Sequence, residues 1–193
     1  MTFTLEIGDP APEFSMLGTD DRTYSLADFE DASVLVLVFT CNHCPAAQGM
    51  EDRLKVFHEN FTPQGATLVA INSNEDVNHP TDSFEHMKLR KAEEGLPWTY
   101  LRDEDQSVAF AYGALRTPHF YVFDSMRMLR YTGRFDENPF DDEQATTHEL
   151  VDAVKALLEG GGPQVPVTNP LGCNVKWRDR DAHWMPAEAR DLV

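Results

Sequence analysis

The segment VLVLVFTCNHCPAA, residues 34–47, places an unbroken run of β-branched and apolar residues directly before two cysteines. The run at residues 34–39 predicts a strand buried on both faces, as found in sheets covered by helices on each side. Cys41 and Cys44 are separated by one asparagine and one histidine, and a proline follows them. The segment therefore predicts a strand, a short loop that carries two thiols, and then a helix.

Apolar spacing predicts the other elements of the chain. An apolar residue recurs every three or four positions over residues 45–61, which predicts one helix that begins at Pro45, where the missing N–H of proline costs nothing. The other predicted elements are strands over residues 66–72, 98–101, 119–123 and 128–131 and helices over residues 81–94, 106–112 and 144–158. The last two strands are expected to pair as an antiparallel hairpin. This order predicts an α/β fold, a three-layer sandwich with a mixed central sheet.

A length of 193 residues suits one domain with some extra chain. The run GGGP at residues 160–163 predicts the end of a domain over residues 1–162, followed by an extension over residues 163–193. The extension contains the motif NVKW, so we expect it to pack on the domain through Val175 and Trp177.

The net charge of the chain limits the classes of macromolecule that it can bind. Thirty-three acidic residues against sixteen basic ones give a formal net charge of −17. Such a surface repels polyanions, which argues against nucleic acid and anionic membranes as partners. Only five of the basic residues are lysine, and a dispersed acidic excess with little lysine predicts a halophilic source. An ordinary acidic protein is the alternative.

No run approaches the ~18 apolar residues of a membrane-spanning helix, and residues 1–14 lack the basic and apolar parts of a signal peptide. A cytoplasmic location is therefore expected. In that compartment a close cysteine pair is more typical of catalysis or metal binding than of a structural disulfide.

The position of the cysteines favours redox chemistry. Cys41 follows a buried strand and precedes a helix, so unpaired N–H groups and the helix dipole are expected to lower its pKa. Cys44 lies one turn further on, within reach for a disulfide. His43, when protonated, would favour the thiolate further. This predicts a nucleophilic Cys41 and a resolving Cys44.

Other uses of these residues remain open. Two inert buried thiols are the simplest alternative. Cys41, Cys44, His43 and His119 also offer soft ligands for copper(I) or zinc, which predicts a metal-binding protein or metallochaperone as the rival function. Cys173 in the extension is either a third redox thiol that folds back over the pair or a buried free cysteine.

Several motifs occur in a fixed order along residues 8–160. They are GDPAPEF at residues 8–14, YSLADF at 24–29, VLVLVFTCNHCP at 34–45 and LRDEDQSVAFAYGALRTPHFYVFD at 101–124. Together they resemble the thioredoxin fold and, within it, the peroxiredoxin-like AhpC/TSA branch. The resemblance implies that Cys41 attacks and Cys44 resolves. It also implies that Pro118, after Thr117, is a cis proline that packs against the disulfide and helps to hold a substrate.

The chain departs from the branch in ways that affect the expected reaction. Peroxiredoxins carry Pro-x-x-x-Thr-x-x before the peroxidatic cysteine, and neither Cys41 nor Cys44 is preceded by that threonine. Thr40 stands where thioredoxin has a tryptophan. Arg116 stands where relatives often carry a cysteine, and it either favours a nearby thiolate or lies in solvent.

These observations predict a thiol–disulfide oxidoreductase that acts on a protein disulfide, a small thiol or a peroxide, with a possible antioxidant role. An external thiol would serve as reductant, and no organic cofactor is expected.

Overall fold

The computed structural model describes residues 3–141, 144–181 and 183–192. Its strands are β1 (Ser15–Gly18), β2 (Thr23–Ser25), β3 (Val34–Thr40), β4 (Ala66–Asn72), β5 (Thr99–Arg102), β6 (Arg116–Thr117), β7 (His119–Phe123), β8 (Leu129–Gly133) and β9 (Cys173–Asn174). Its α-helices are α1 (Pro45–Gln48), α2 (Glu51–Phe61), α3 (Phe84–Glu93), α4 (Ser107–Tyr112) and α5 (Glu149–Leu158). Short 3-10 turns cover Leu26–Phe29, Thr62–Gln64, Pro80–Asp82 and Ala187–Leu192.

Seven strands form one mixed sheet in the order β2-β1-β5-β4-β3-β7-β8. Strand β3 is parallel to β4 and antiparallel to β7, and β4 is parallel to β5. Strands β7 and β8 form the predicted antiparallel hairpin. Helices α2, α3 and α5 cover one face and α4 covers the other, so the predicted α/β sandwich with a mixed central sheet is confirmed.

Strand β3 is buried on both faces, as its continuous apolar run predicts. Val36 lies in the core beside Phe57 of α2, whereas Leu35 and Leu37 lie in the opposite core with Tyr112 of α4. Because successive side chains of a strand point to opposite faces, one apolar run supplies both cores. Each large apolar side chain buried there contributes roughly 1.5–3 kcal/mol to folding.

The helix expected over residues 45–61 is interrupted after one turn. Helix α1 ends at Gln48, and a tight turn through Gly49 precedes α2. A Cβ atom on Gly49 would lie 3.0 Å from the carbonyl oxygen of Pro139, so a neighbouring loop packs closely against this turn. The predicted apolar stripe is confirmed, because its four members are all buried: Met50, Leu54, Phe57 and Phe61.

The helix expected over residues 81–94 is also divided. The 3-10 turn Pro80–Asp82 is followed by Ser83, whose extended backbone (φ −61°, ψ 156°) caps α3. Asp82, in the turn before this break, accepts hydrogen bonds from Asn42, Asn72 and Asn74. Leu89 is exposed and is not part of the core.

The helix expected over residues 144–158 begins only at Glu149. The carboxylate of Glu137 accepts a hydrogen bond from the backbone N–H of Thr147 at 2.7 Å. That bond holds the preceding segment outside the helix.

Other boundaries move by one or two residues. Strand β5 begins at Thr99, β8 begins at Leu129 and α4 begins at Ser107. The hairpin of β1 and β2 was not predicted, since short strands with an exposed face carry a weak sequence pattern.

The extension lies against the domain. Strand β9 pairs antiparallel with β6, Val175 is buried, and Trp177 packs against the core that contains Tyr112. Val175 and Trp177 thus lie against the core, whereas the division of the chain into a domain and an extension at residue 162 stays a prediction. Within the described parts of the chain, no helix is long and apolar enough to cross a bilayer.

Candidate redox site

The loop of Cys41 to Cys44 joins the end of β3 to the start of α1, as the sequence predicts. Thr40 ends β3 opposite Asn72 of β4. Cys44 is the residue before α1, and Pro45 occupies the first helical position. The first backbone N–H groups of α1 therefore lie nearest to Cys44 and not, as expected, to Cys41.

Both thiols are free and buried, and both contact Thr117. The Cys41 thiol donates to Thr117 Oγ1 at 3.4 Å, and the Cys44 thiol donates to the Thr117 carbonyl oxygen at 3.0 Å. The two sulfurs also face each other within one small cluster. The structure thus brings together the two predicted thiols and the residue before Pro118.

The expected lowering of the Cys41 pKa is wrong. Burial raises the pKa of Cys41 well above its ordinary value, and the Cys44 sulfur and the Asp82 carboxylate add to the rise. The pKa of Cys44 is lowered instead, because the Cys41 thiol donates toward its sulfur. Burial and the nearby Thr117 carbonyl oppose that lowering, but the Cys173 thiol and the backbone of Ala47 support it.

His43 is held by a buried carboxylate that the sequence did not indicate. Its Nδ1 atom lies 2.5 Å from Asp82 Oδ2, and the Asp82 side chain is fully buried. This hydrogen bond raises the pKa of His43, against the opposing effect of partial burial. The positive charge expected near the cysteines is therefore supported, although it is paired with a negative one.

Both oxygens of the Asp82 carboxylate accept hydrogen bonds. Its Oδ1 atom accepts from the backbone N–H of Asn42 at 2.6 Å and from Asn72 Nδ2 at 3.2 Å, and its Oδ2 atom accepts from Asn74 Nδ2 at 3.0 Å. Burial opposes ionisation, but these bonds and His43 hold the pKa of Asp82 below its ordinary value. The asparagines at the carboxyl end of β4 were the one signal in the sequence for a polar site at this edge.

His79 is half-buried and stacks on His43 with ring centroids 4.9 Å apart. Its Nδ1 atom lies 2.6 Å from Glu75 Oε1. Two histidine–carboxylate pairs therefore lie side by side next to the thiols.

The second part of the site comprises the residues around Pro118 and the extension that lies beside them. The Thr117–Pro118 peptide bond is cis, as the sequence resemblance implies. Arg116 is half-buried and donates to Asn174 Oδ1 at 2.6 Å and to the Gly172 carbonyl at 3.2 Å. It therefore holds the extension, and its charge also acts to lower the pKa of the nearby Cys173 thiol, in the sense of the first of the two roles expected for it. Cys173 packs against the two cysteines and is only partly buried.

His119 lies apart from the other expected metal ligands. It is buried between Leu115, Tyr121 and Thr132, where burial lowers its pKa to about 3. Among the described residues, the group that fits a metal ion is Cys41, His43 and Asp82, whose ligand atoms all lie within 4.8 Å of one another.

The chain is similar in sequence to one protein family and to individual peroxiredoxins. The model of the AhpC/TSA family matches residues 7–132. The chain is 26% identical over 131 residues to a putative chloroplastic peroxiredoxin Q of Oryza sativa subsp. indica, covering 64% of this chain and 57% of that protein. It is also 26% identical over 152 residues to peroxiredoxin Bcp of Escherichia coli K12, covering 76% of this chain and 92% of that one. The chain thus spans little more than half the length of the rice protein.

Solved structures agree with the fold. A hypothetical protein from Sinorhizobium meliloti 1021 superimposes with a TM-score of 0.84 at 33% identity, covering 93% of this chain and 98% of that one. The thioredoxin domain of a thiol-disulfide oxidoreductase from Bacteroides vulgatus superimposes with a TM-score of 0.57 at 19% identity, covering 65% and 86% of the two chains. The sheet, the cis proline, the cysteine loop and the family match lead to one conclusion: the chain belongs to the AhpC/TSA family of redox proteins and has the thioredoxin fold.

Proposed function

We propose that the protein is a thiol–disulfide oxidoreductase in which Cys41 and Cys44 form a reversible disulfide. The observation that carries this proposal is the pair of free thiols facing each other over the cis Thr117–Pro118 bond. Two thiols at this spacing close a short disulfide without rearranging the sheet.

We assign the attack to Cys44, the reverse of the order that the resemblance implies. Cys44 faces more donors than Cys41, and Cys41 lies beside the Asp82 carboxylate. A thiolate is the reactive form in exchange, so the thiol with the lower pKa attacks first at neutral pH.

The reaction balances as two exchange steps. The Cys44 thiolate attacks one sulfur of a substrate disulfide, whose S–S bond breaks to release one substrate thiolate. Cys41 then loses its proton and attacks Cys44 Sγ, which releases the second substrate thiolate and leaves the Cys41–Cys44 disulfide. Two electrons pass to the substrate, and an external thiol returns them. The substrate thiolate released in the first step can take the Cys41 proton, because its pKa is that of an ordinary thiol.

Protein disulfides and small disulfides are the proposed substrates, and peroxide is the weaker candidate. Peroxide is weaker because the chain lacks the threonine that peroxiredoxins carry before the reactive cysteine. An antioxidant role therefore rests on disulfide exchange. A reducing compartment such as the cytoplasm would keep the three thiols free, and we propose that location.

Mass mapping of alkylated thiols tests the proposal. The wild type and two variants that also carry Cys173→Ser, one with Cys41→Ser and one with Cys44→Ser, are treated with a small disulfide and then with iodoacetamide. We expect a Cys41–Cys44 disulfide in the wild type and a mixed disulfide with the reagent on Cys44 in the variant that lacks Cys41. If no Cys41–Cys44 disulfide forms under any oxidant, the proposal fails. If the mixed disulfide forms on Cys41 in Cys44→Ser faster than on Cys44 in Cys41→Ser, our order of attack is wrong.

Metal binding is a second candidate, favoured by the Cys41, His43 and Asp82 cluster. An ion there would need to displace the hydrogen bond between His43 and Asp82. Titration of the reduced protein with zinc or copper(I) tests it. Stoichiometric binding that is lost in His43→Ala but kept in His119→Ala would support this candidate, and no binding would remove it.

A further inference from the structure

The extension covers the redox pair with a third thiol. Strand β9 pairs with β6 so that Cys173 lies opposite Thr117, the residue that contacts both other thiols. The Cys173 side chain packs against the cluster of Cys41 and Cys44, and its thiol faces the Cys44 sulfur. Cys44 therefore contacts both of the other thiols.

A glycine allows the backbone of the extension to approach Thr117 closely. Gly172 has φ +152°, and a Cβ atom there would lie 2.1 Å from the Thr117 carbonyl oxygen. Only glycine permits this approach of backbone to backbone. Arg116 then ties both sides of Cys173 by donating to the Gly172 carbonyl and the Asn174 side chain. The position of Cys173 is thus set by its neighbours on either side.

The charges around Cys173 differ from those around Cys41. Burial and then the Cys44 sulfur raise the pKa of Cys173 to about 11, whereas Lys176 and Arg116 act to lower it. Once Cys44 has reacted, its negative charge is gone and the two cations remain. Cys41 keeps the Asp82 carboxylate as its neighbour. Reaction at Cys44 therefore favours ionisation of Cys173 over that of Cys41.

We propose that Cys173 is a second resolving thiol, which forms a disulfide with Cys44 and so fastens β9 onto β6. This inference rests on the proposed function, because it needs Cys44 to react with a disulfide. The site then works with two alternative disulfides that share Cys44. The Cys44–Cys173 form closes the site covalently, and the Cys41–Cys44 form leaves the extension held only by noncovalent contacts.

Formation of the Cys44–Cys173 disulfide needs no reagent other than the substrate disulfide. The Cys44 thiolate attacks an external disulfide, which yields a mixed disulfide and one external thiolate. The Cys173 thiolate then attacks Cys44 Sγ, the bond to the external group breaks, and the second external thiolate leaves. The two external thiolates take up the proton of Cys173 and one proton from solvent, which Cys44 had released when it ionised. Exchange with Cys41 afterwards moves the bond to Cys41–Cys44 and frees Cys173, with no net change in oxidation.

Non-reducing peptide mapping tests this inference. Trypsin leaves Cys41 and Cys44 together in residues 23–53 and Cys173 in residues 156–176, so a cross-linked pair of peptides reports the new disulfide. After treatment with oxidised glutathione, we expect the linked pair in Cys41→Ser, where Cys44 is the one cysteine left in its peptide. We expect the Cys41–Cys44 disulfide in Cys173→Ser.

The two proposals fail in different ways. If Cys41→Ser gives no linked pair while Cys173→Ser still forms Cys41–Cys44, the role of Cys173 is overturned and the proposed function stands. If neither variant forms a disulfide, the proposed function fails as well.

A matched pair of glycine variants tests the geometry. Gly172→Ala, in the Cys41→Ser background, is expected to lower the yield of the linked pair at least tenfold, because the added carbon displaces β9 from Thr117. Gly162→Ala is the control, since nothing lies within 4 Å of a Cβ atom there. Gly172→Ala with all cysteines present must still form Cys41–Cys44, which shows that the domain is folded. Equal yields from the two glycine variants would contradict the proposed contact.

Discussion

His43 and Asp82 form an ion pair beside the thiols, with Nδ1 and Oδ2 2.5 Å apart and the carboxylate fully buried. The pair links the cysteine loop to the 3-10 turn before α3. It also sets the charge near Cys41, since the carboxylate is close enough to raise the pKa of that thiol. The stability and the pH dependence of the site therefore depend on these two residues.

Replacing the buried carboxylate is expected to be costly. Asp82→Asn replaces a buried acceptor oxygen with a donor that faces other donors, and leaving buried polar groups unsatisfied costs about 1–3 kcal/mol. Urea denaturation of the reduced protein at pH 7 measures this loss. Asp52→Asn is the control, because Asp52 is 95% exposed and its contact with Lys55 is worth under ~1 kcal/mol. Equal losses for both variants would show that Asp82 contributes no more than a surface carboxylate.

The contribution of His43 to stability is expected to depend on pH. Since the folded state raises the pKa of His43, the folded protein keeps this proton to higher pH than the unfolded chain does. The stabilisation is complete below the ordinary histidine pKa of ~6.5 and is lost as pH rises through the folded value.

We therefore expect the difference in unfolding free energy between wild type and His43→Gln to shrink as the pH is raised from 6 to 9. His86→Gln, an exposed histidine on α3, is the control and should show no such trend. A difference that is constant or grows with pH would contradict the assignment of a raised pKa to His43.

The ionisation of the cysteines distinguishes Cys44 from Cys41. Because the pKa of Cys44 is lowered and that of Cys41 is raised, the reduced protein should hold one thiolate well below pH 7. Absorbance at 240 nm against pH measures it, with near-ultraviolet circular dichroism to show that the fold persists. Cys44→Ser should lose this absorbance at pH 7, whereas Cys173→Ser should keep most of it. Loss of the signal in Cys41→Ser alone would assign the thiolate to Cys41.

Salt is expected to stabilise the protein. A net charge of −17 repels itself at low ionic strength, and raising salt from 0.1 M to 1 M shortens the screening length from ~10 Å to ~3 Å. We expect Tm to rise between 0.1 M and 2 M KCl by more than in sorbitol of equal osmolarity. A Tm that falls or stays level in KCl would argue against the halophilic source that the composition predicts.

Much of the fold could be predicted from local sequence, because burial on both faces leaves a clear pattern. The bounds of β4 and β7 match the expectations, and the apolar stripe of α2 lies in the core. The breaks at Gly49 and Ser83 were not predicted, since each depends on a neighbouring loop or cap rather than on apolar spacing. The interruption at Ser83 matters most, because it directs Asp82 into the site.

By itself, the sequence determined the strand–loop–helix order around Cys41 and Cys44, the mixed sheet and the acidic surface, because these follow from periodicity and composition. Only the tertiary structure decided which thiol is the more acidic and what surrounds the pair. Asp82 lies 39 residues after His43 in the chain, and Cys173 lies opposite Thr117 through the pairing of β6 with β9. A pKa depends on charges and donors within a few ångströms, and folding brings those groups together from distant parts of the chain.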